Sequence, residues 1–119
     1  MEEAMKAFYD FWSSFDIPAY PEDGVPDDAV LPYITYNVII PHWASSAVVN
    51  ARVWYRSTSY AEVTAKAQAI SERIGEGVAI GGGVYLFKED NFLQFQPYDA
   101  SEDTIKVAYL SMIAHVLSN

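Results

Sequence analysis

Apolar residues return at three- and four-residue steps near the start of the chain, at Met5, Phe8, Tyr9, Trp12 and Phe15, with Glu3, Lys6, Asp10 and Ser14 between them. That spacing predicts one amphipathic helix over residues 2–15. Pro18, Pro21, Pro26 and Pro32 then fix φ and remove donors, so Asp16 to Pro32 reads as an extended irregular connection, and long loops of this kind often carry function. Alternation takes over from Tyr33 to Ile40, where Ile34, Tyr36, Val38 and Ile40 share one face while Thr35 and Asn37 interrupt the other. After a turn at Pro41 to Ser46, Ala47 to Arg56 alternates more cleanly. Val49, Ala51, Val53 and Tyr55 oppose Asn50, Arg52 and Arg56. The two segments predict an antiparallel hairpin.

Ser59 followed by Glu62 has the spacing of a capping box, and the stripe of Val63, Ala67, Ile70 and Ile74 stops at Gly75, which predicts a second helix with both ends marked. Glu62 and Lys66 stand four apart in the favourable order for a surface pair. Beyond the glycines at 75, 77, 81, 82 and 83, Val84 to Lys88 and Phe92 to Tyr98 predict a second hairpin turning at Glu89, Asp90 and Asn91. Thr104 to Leu117 fits two periods. Ile105, Val107 and Tyr109 alternate as in a strand, whereas Ile105, Tyr109, Met112 and Val116 fit a helix, and the beginning is read as strand. The order α-β-β-α-β-β with a final β predicts one α+β domain over residues 1–119, a small mixed or antiparallel sheet flanked by two main helices.

Composition supports a folded chain, since 51% of residues are apolar and 19% charged. No apolar run approaches the roughly 20 residues of a membrane span, and Glu2 and Glu3 stand where a secretory signal would carry cations, so neither membrane nor export is expected. The absence of cysteine excludes disulfides and thiol chemistry. The net charge of −9 argues against nucleic acid as a direct ligand, because phosphate binding needs clustered Lys and Arg. Acidity is concentrated at the front, where Glu2, Glu3, Asp10, Asp16, Glu22, Asp23, Asp27 and Asp28 face a single base, Lys6.

No constellation for catalysis emerges. His42 and His115 lack metal-ligand spacing, and the pairing of Ser45, His115 and Asp99 lacks a nucleophile elbow. Gly81 to Gly83 lead into a strand rather than a helix N-terminus, so they predict a tight connection or close backbone approach instead of a phosphate cradle. No cofactor, metal or enzymatic activity is expected. Nine Tyr, six Phe and three Trp exceed what one small core holds, and Tyr and Trp suit protein interfaces. The candidate contact residues are therefore Tyr33, Trp54, Arg52 and Arg56 on the strands, His42 and Trp43 in the first turn, Glu89 and Asp90 in the second, and Asp27 and Asp28 in the acidic connection.

Three stretches, FWSSFDIPAYPEDGVPDDAVLPYITY, VWYRSTSYAEVTAKAQAISERIG and GGGVYLFKEDNFLQF, resemble a family of tail terminator proteins of phages and prophages of Gram-positive bacteria. The resemblance implies a small sheet covered by helices and a ring of six copies that caps the tail tube, stops its polymerisation and meets the head. Implied partners are further copies of the chain, the tail tube protein, a neck or head-completion protein and the tape measure protein. The implied location is the head-proximal end of the tail in the virion, after assembly in the host cytoplasm. A neck or head-closure connector, and a monomeric α+β module binding a ligand or peptide between Tyr36, Trp54 and Tyr85, stand as alternatives.

Overall fold

The computed structural model describes residues 2–39, 46–99 and 102–116. Helix α1 (Glu2–Trp12) continues into a 3-10 turn (Ser13–Phe15) that stops at Asp16, whose φ of 69° is left-handed. It is followed by β1 (Ala19–Pro21), β2 (Tyr33–Ile39), β3 (Ser46–Arg56), α2 (Ala61–Ile74), β4 (Val78–Gly81), β5 (Val84–Asp99) and β6 (Glu102–Val116). Six strands form one mixed sheet in the order β1-β2-β3-β6-β5-β4, with β1 and β2 parallel and the other pairs antiparallel. The chain is thus an α+β fold.

Alternation decides which face each strand buries. Ile34, Tyr36, Val49, Ala51, Val53, Tyr55, Ala108, Leu110, Met112, Ala114, Val84 and Leu86 fall on one side and form a single core with both helices. From α1 this core takes Ala4, Ala7, Phe8, Phe11 and Trp12, and from α2 it takes Val63, Ala67, Ile70 and Ile74. Trp12 stacks on Tyr36 at 6.3 Å. Lys88 Nζ donates to Ser71 Oγ at 2.8 Å, tying α2 to β5. Helix α1 touches both edge strands, β1 and β4. An 11-residue helix is only about 16 Å long while six flat strands span about 24 Å, so the sheet curls around the helical layer.

Several expectations change. In α1, Met5 and Tyr9 are exposed while Ala4, Ala7 and Phe11 are buried, because the helix turns its apolar stripe one position towards Phe11 to meet the curled sheet. The connection contains β1, whose Ala19 to Pro21 run beside Ile34 to Tyr36. The capping box does not form. Ser59 Oγ accepts from Ala61 N at 3.3 Å, Tyr60 holds the N-cap position, and Lys66 Nζ donates to the Phe15 carbonyl at 2.6 Å instead of pairing with Glu62.

Two corrections concern the hairpins. The glycine passage holds β4, so the tight turn lies at Gly81 to Gly83, and the close approach expected there is with α1. A Cβ on Gly82, at φ +59°, would stand 2.4 Å from the Glu3 carbonyl oxygen. Glu89, Asp90 and Asn91 do not turn the chain. They belong to a bulge in β5, where Glu89 to Phe92 together oppose Ser111 between the pairs Lys88↔Met112 and Leu93↔Leu110. The bulge moves the buried phase from Val84 and Leu86 to Leu93, so a polar interruption mimicked a turn while β6 supplied a continuing partner. The final segment is strand throughout, to Val116.

Candidate interaction surface

Both helices lie on one side, and among the described residues no helix covers the outer face of the sheet, where Val107 and Thr35 are nevertheless buried. Cross-strand register arranges that face in rows. Tyr33, Trp54 and Val107 form the first row, Thr35, Arg52, Tyr109 and Gln94 the second, Asn37, Asn50 and Ser111 the third. Ile39, Val48, Ile113 and Phe87 form the fourth, followed by Ser46, His115 and Tyr85. The surface therefore changes along the strands from aromatic, through hydrogen-bonding, to apolar.

The aromatic end is held in place. Tyr20, Tyr33 and Trp54 pack in series, with ring centroids 5.7 and 6.2 Å apart, and Trp54 Nε1 donates to Thr35 Oγ1 at 3.0 Å. Arg52 lies over the Tyr109 ring at 5.2 Å and forms an ion pair with Glu22. Arg56, exposed at the end of β3, donates to Thr104 Oγ1 at 3.2 Å. At the other end Tyr85, Phe87 and His115 make a second ring cluster, with centroids 4.8 and 5.1 Å apart. Gly77 makes room for it, since a Cβ there would stand 2.7 Å from Tyr85 and 2.9 Å from Phe87. Ile39 is 51% exposed, Val48 39% and Tyr85 41%, so apolar surface faces solvent at this end.

Where β5 bulges away opposite Ser111, a shallow depression of about 200 Å³ opens between Asn37, Asn50, Arg52, Gln94 and Tyr109. A second of about 430 Å³ lies between Met5, Pro21 to Asp23 and Tyr36 to Val38 at the β1 edge. Ser111, Tyr109 and Glu22 line the first, where Glu22 is engaged by Arg52 and, among the described residues, no hydrogen bond joins it to either hydroxyl. The tyrosine hydroxyls pushed above their ordinary range, Tyr36 and Tyr55, belong to the helix side. Burial is the main cause for both, with Tyr9 adding to the first and Glu62 to the second. Among the described residues no group of three or more His, Asp or Glu is arranged to hold a metal ion, and no helix is long and apolar enough to cross a membrane.

Of the residues singled out from sequence, Tyr33, Arg52 and Trp54 come together on the outer face, with Arg56 at its end. Asp27 and Asp28 are exposed in the connection beside the β1 edge, and Glu89 and Asp90 sit in the bulge. His42 and Trp43 lie outside the described residues. The cleft of Tyr36, Trp54 and Tyr85 does not form, because Tyr36 is buried under Trp12 on the opposite face. Sequence reasoning missed Tyr20, Glu22, Tyr109 and His115 as members of this surface. The period-two run Ile105, Val107, Tyr109, Ser111, Ile113, His115 carried the signal for the last two.

No protein-family model matches the chain, and no curated protein matches it. Among solved structures, it is similar to a chain described as "Virion of native gene transfer agent (GTA) particle". The two share 14% identity at a TM-score of 0.56, over 89% of this chain and 83% of that one. At that identity the likeness is one of fold.

Proposed function

We propose that the chain is a structural subunit of a phage-like virion, a tail terminator that assembles as a ring of six, caps the tail tube, stops its polymerisation and offers its other side to the neck. The observation that carries this reading is the fold shared, across most of both chains, with a component of a gene transfer agent virion. The aromatic and apolar outer face supports it, since a surface of this kind suits permanent contact with another protein. Such a role needs no catalytic chemistry. Positioning and surface complementarity are sufficient. The partners are further copies of the chain, the tail tube protein and a neck or head-completion protein, with the tape measure protein ending beneath the ring. The subunit assembles in the host cytoplasm and resides at the head-proximal end of the tail.

Deleting the gene tests the reading directly. A terminator mutant produces overlong tube polymers in micrographs. Tails of normal length that fail to join heads would instead assign the chain to the neck, and normal particles would refute both roles.

A further inference from the structure

The outer face and the acidic connection have opposite character. Strands β2, β3 and β6 place Arg52 and Arg56 on or at the end of that face and, among their own described side chains there, no carboxylate, while Glu22 from the start of the connection stands against Arg52. The connection at the β1 edge carries Asp23, Asp27 and Asp28, all exposed, and ends on Val30, which is 78% exposed. Among the described residues neither Asp27 nor Asp28 meets a cation within ion-pair distance, and Arg56 meets no carboxylate. The chain exposes 7084 Å², about a tenth more than the roughly 6,450 Å² expected of a compact monomer of its 13.3 kDa.

We infer that the acidic connection of one copy, around Asp27, Asp28 and Val30, docks on the outer sheet face of the next copy, with Arg52 and Arg56 receiving its carboxylates. A second copy fits better than another partner because a single chain carries both halves: a cationic, apolar-edged face and an acidic segment ending in an exposed valine. The two patches differ, one built from the connection between β1 and β2 and the other from the strands. The contact is therefore head-to-tail, the type that closes into rings. Glu22 already pairs with Arg52 within the chain, so the incoming carboxylates extend an existing ion pair into a small network at this edge. The interface rests on the reading of the chain as a ring subunit.

The test uses two full-length variants, Asp27→Lys with Asp28→Lys, and Arg52→Glu with Arg56→Glu, followed by native mass spectrometry alone and mixed. The wild-type chain is expected to form a closed oligomer that weakens as ionic strength rises. Each variant alone loses it, since like charges then meet at every contact. Mixing them restores assembly with the two chains in equal number, because the reversed charges complement one another. Far-ultraviolet circular dichroism and thermal melting of each variant confirm folding, and Arg56→Glu alone serves as the milder face variant if the double substitution unfolds. A monomeric wild type, variants that assemble like wild type, or folded variants that stay monomeric when mixed would each overturn the interface. If the wild-type ring forms and caps tubes while the charge swaps leave it intact, the interface fails and the tube-capping reading stands. If the swaps behave as expected but deletion leaves tail length unchanged, the reading fails and the interface stands.

Discussion

On the helix side of the sheet Ile34, Val49, Val53, Leu86, Leu110 and Met112 are sealed from water, while one residue along the same strands Ile39, Val48 and Tyr85 remain substantially exposed. The two faces are built from similar residue types on the same backbone. What separates them is a layer of two helices, whose Phe8, Trp12, Ile70 and Ile74 turn one face into a core. The other face keeps its order through local contacts: the Tyr20, Tyr33 and Trp54 series, the Trp54 to Thr35 hydrogen bond and the Glu22 to Arg52 ion pair. A face organised in this way has its side chains held by contacts to one another while much of it stays exposed.

The contrast is sharpest at Trp12. Trp12→Ala is expected to cost about 3–5 kcal/mol in chemical denaturation, as a fully buried aromatic side chain is lost. Trp12→Phe should cost much less than that, because the buried indole N–H, which has no hydrogen-bond partner among the described residues, disappears with the ring volume it removes. A cost for Trp12→Phe as large as for alanine would show that shape, not polarity, sets the packing there. Next in size is Gly82→Ala, which needs both a left-handed φ and space already held by the Glu3 carbonyl. A loss of about 1–3 kcal/mol should appear as an earlier unfolding of α1 in hydrogen exchange.

On the outer face, Trp54→Ala should cost only about 1–2 kcal/mol of monomer stability, since the ring is half-buried. If it costs as much as Trp12→Ala, the two faces are energetically alike and the comparison fails. Alkaline pH probes the helix side. The folded-state pKa values of Tyr36 and Tyr55 are raised above the ordinary 10.0, so their contribution is complete below about pH 10 and is lost as pH rises through the raised values. Urea midpoints should fall on that alkaline limb, and Tyr36→Phe should flatten the fall. The smallest effect is expected from Arg52→Ala, below about 1 kcal/mol, because its partner Glu22 is exposed and screened.

Much of the fold was legible in sequence. The aromatic helix, the β2 and β3 strands and the α2 stripe follow from periodicity at 3.6 and 2.0, which local sterics impose wherever one side is apolar. Arg52 and Trp54 were placed correctly on a common face by the same alternation. The failures share a cause. Glu89 to Asn91 looked like a turn and Ser59 with Glu62 like a cap because those signals are local, whereas β6 held β5 in register across the interruption and Phe15 drew Lys66 away. The short strands β1 and β4 carry too few residues for a period to register, and each is a strand only because a neighbour pairs with it.

By itself the sequence determined the two helices, β2 and β3 with the inward set of each, the acidic front and the lack of thiol chemistry, since these depend on residue type and on separations of a few positions. Only the tertiary structure decided that both helices cover the same side, that α1 reaches both edges, and that Tyr20, Arg52, Trp54, Tyr109 and His115 share an uncovered face. Those facts depend on strand order and on the curl of the sheet. Both arise from contacts between residues far apart in the chain, where the burial of one whole face outweighs local preference.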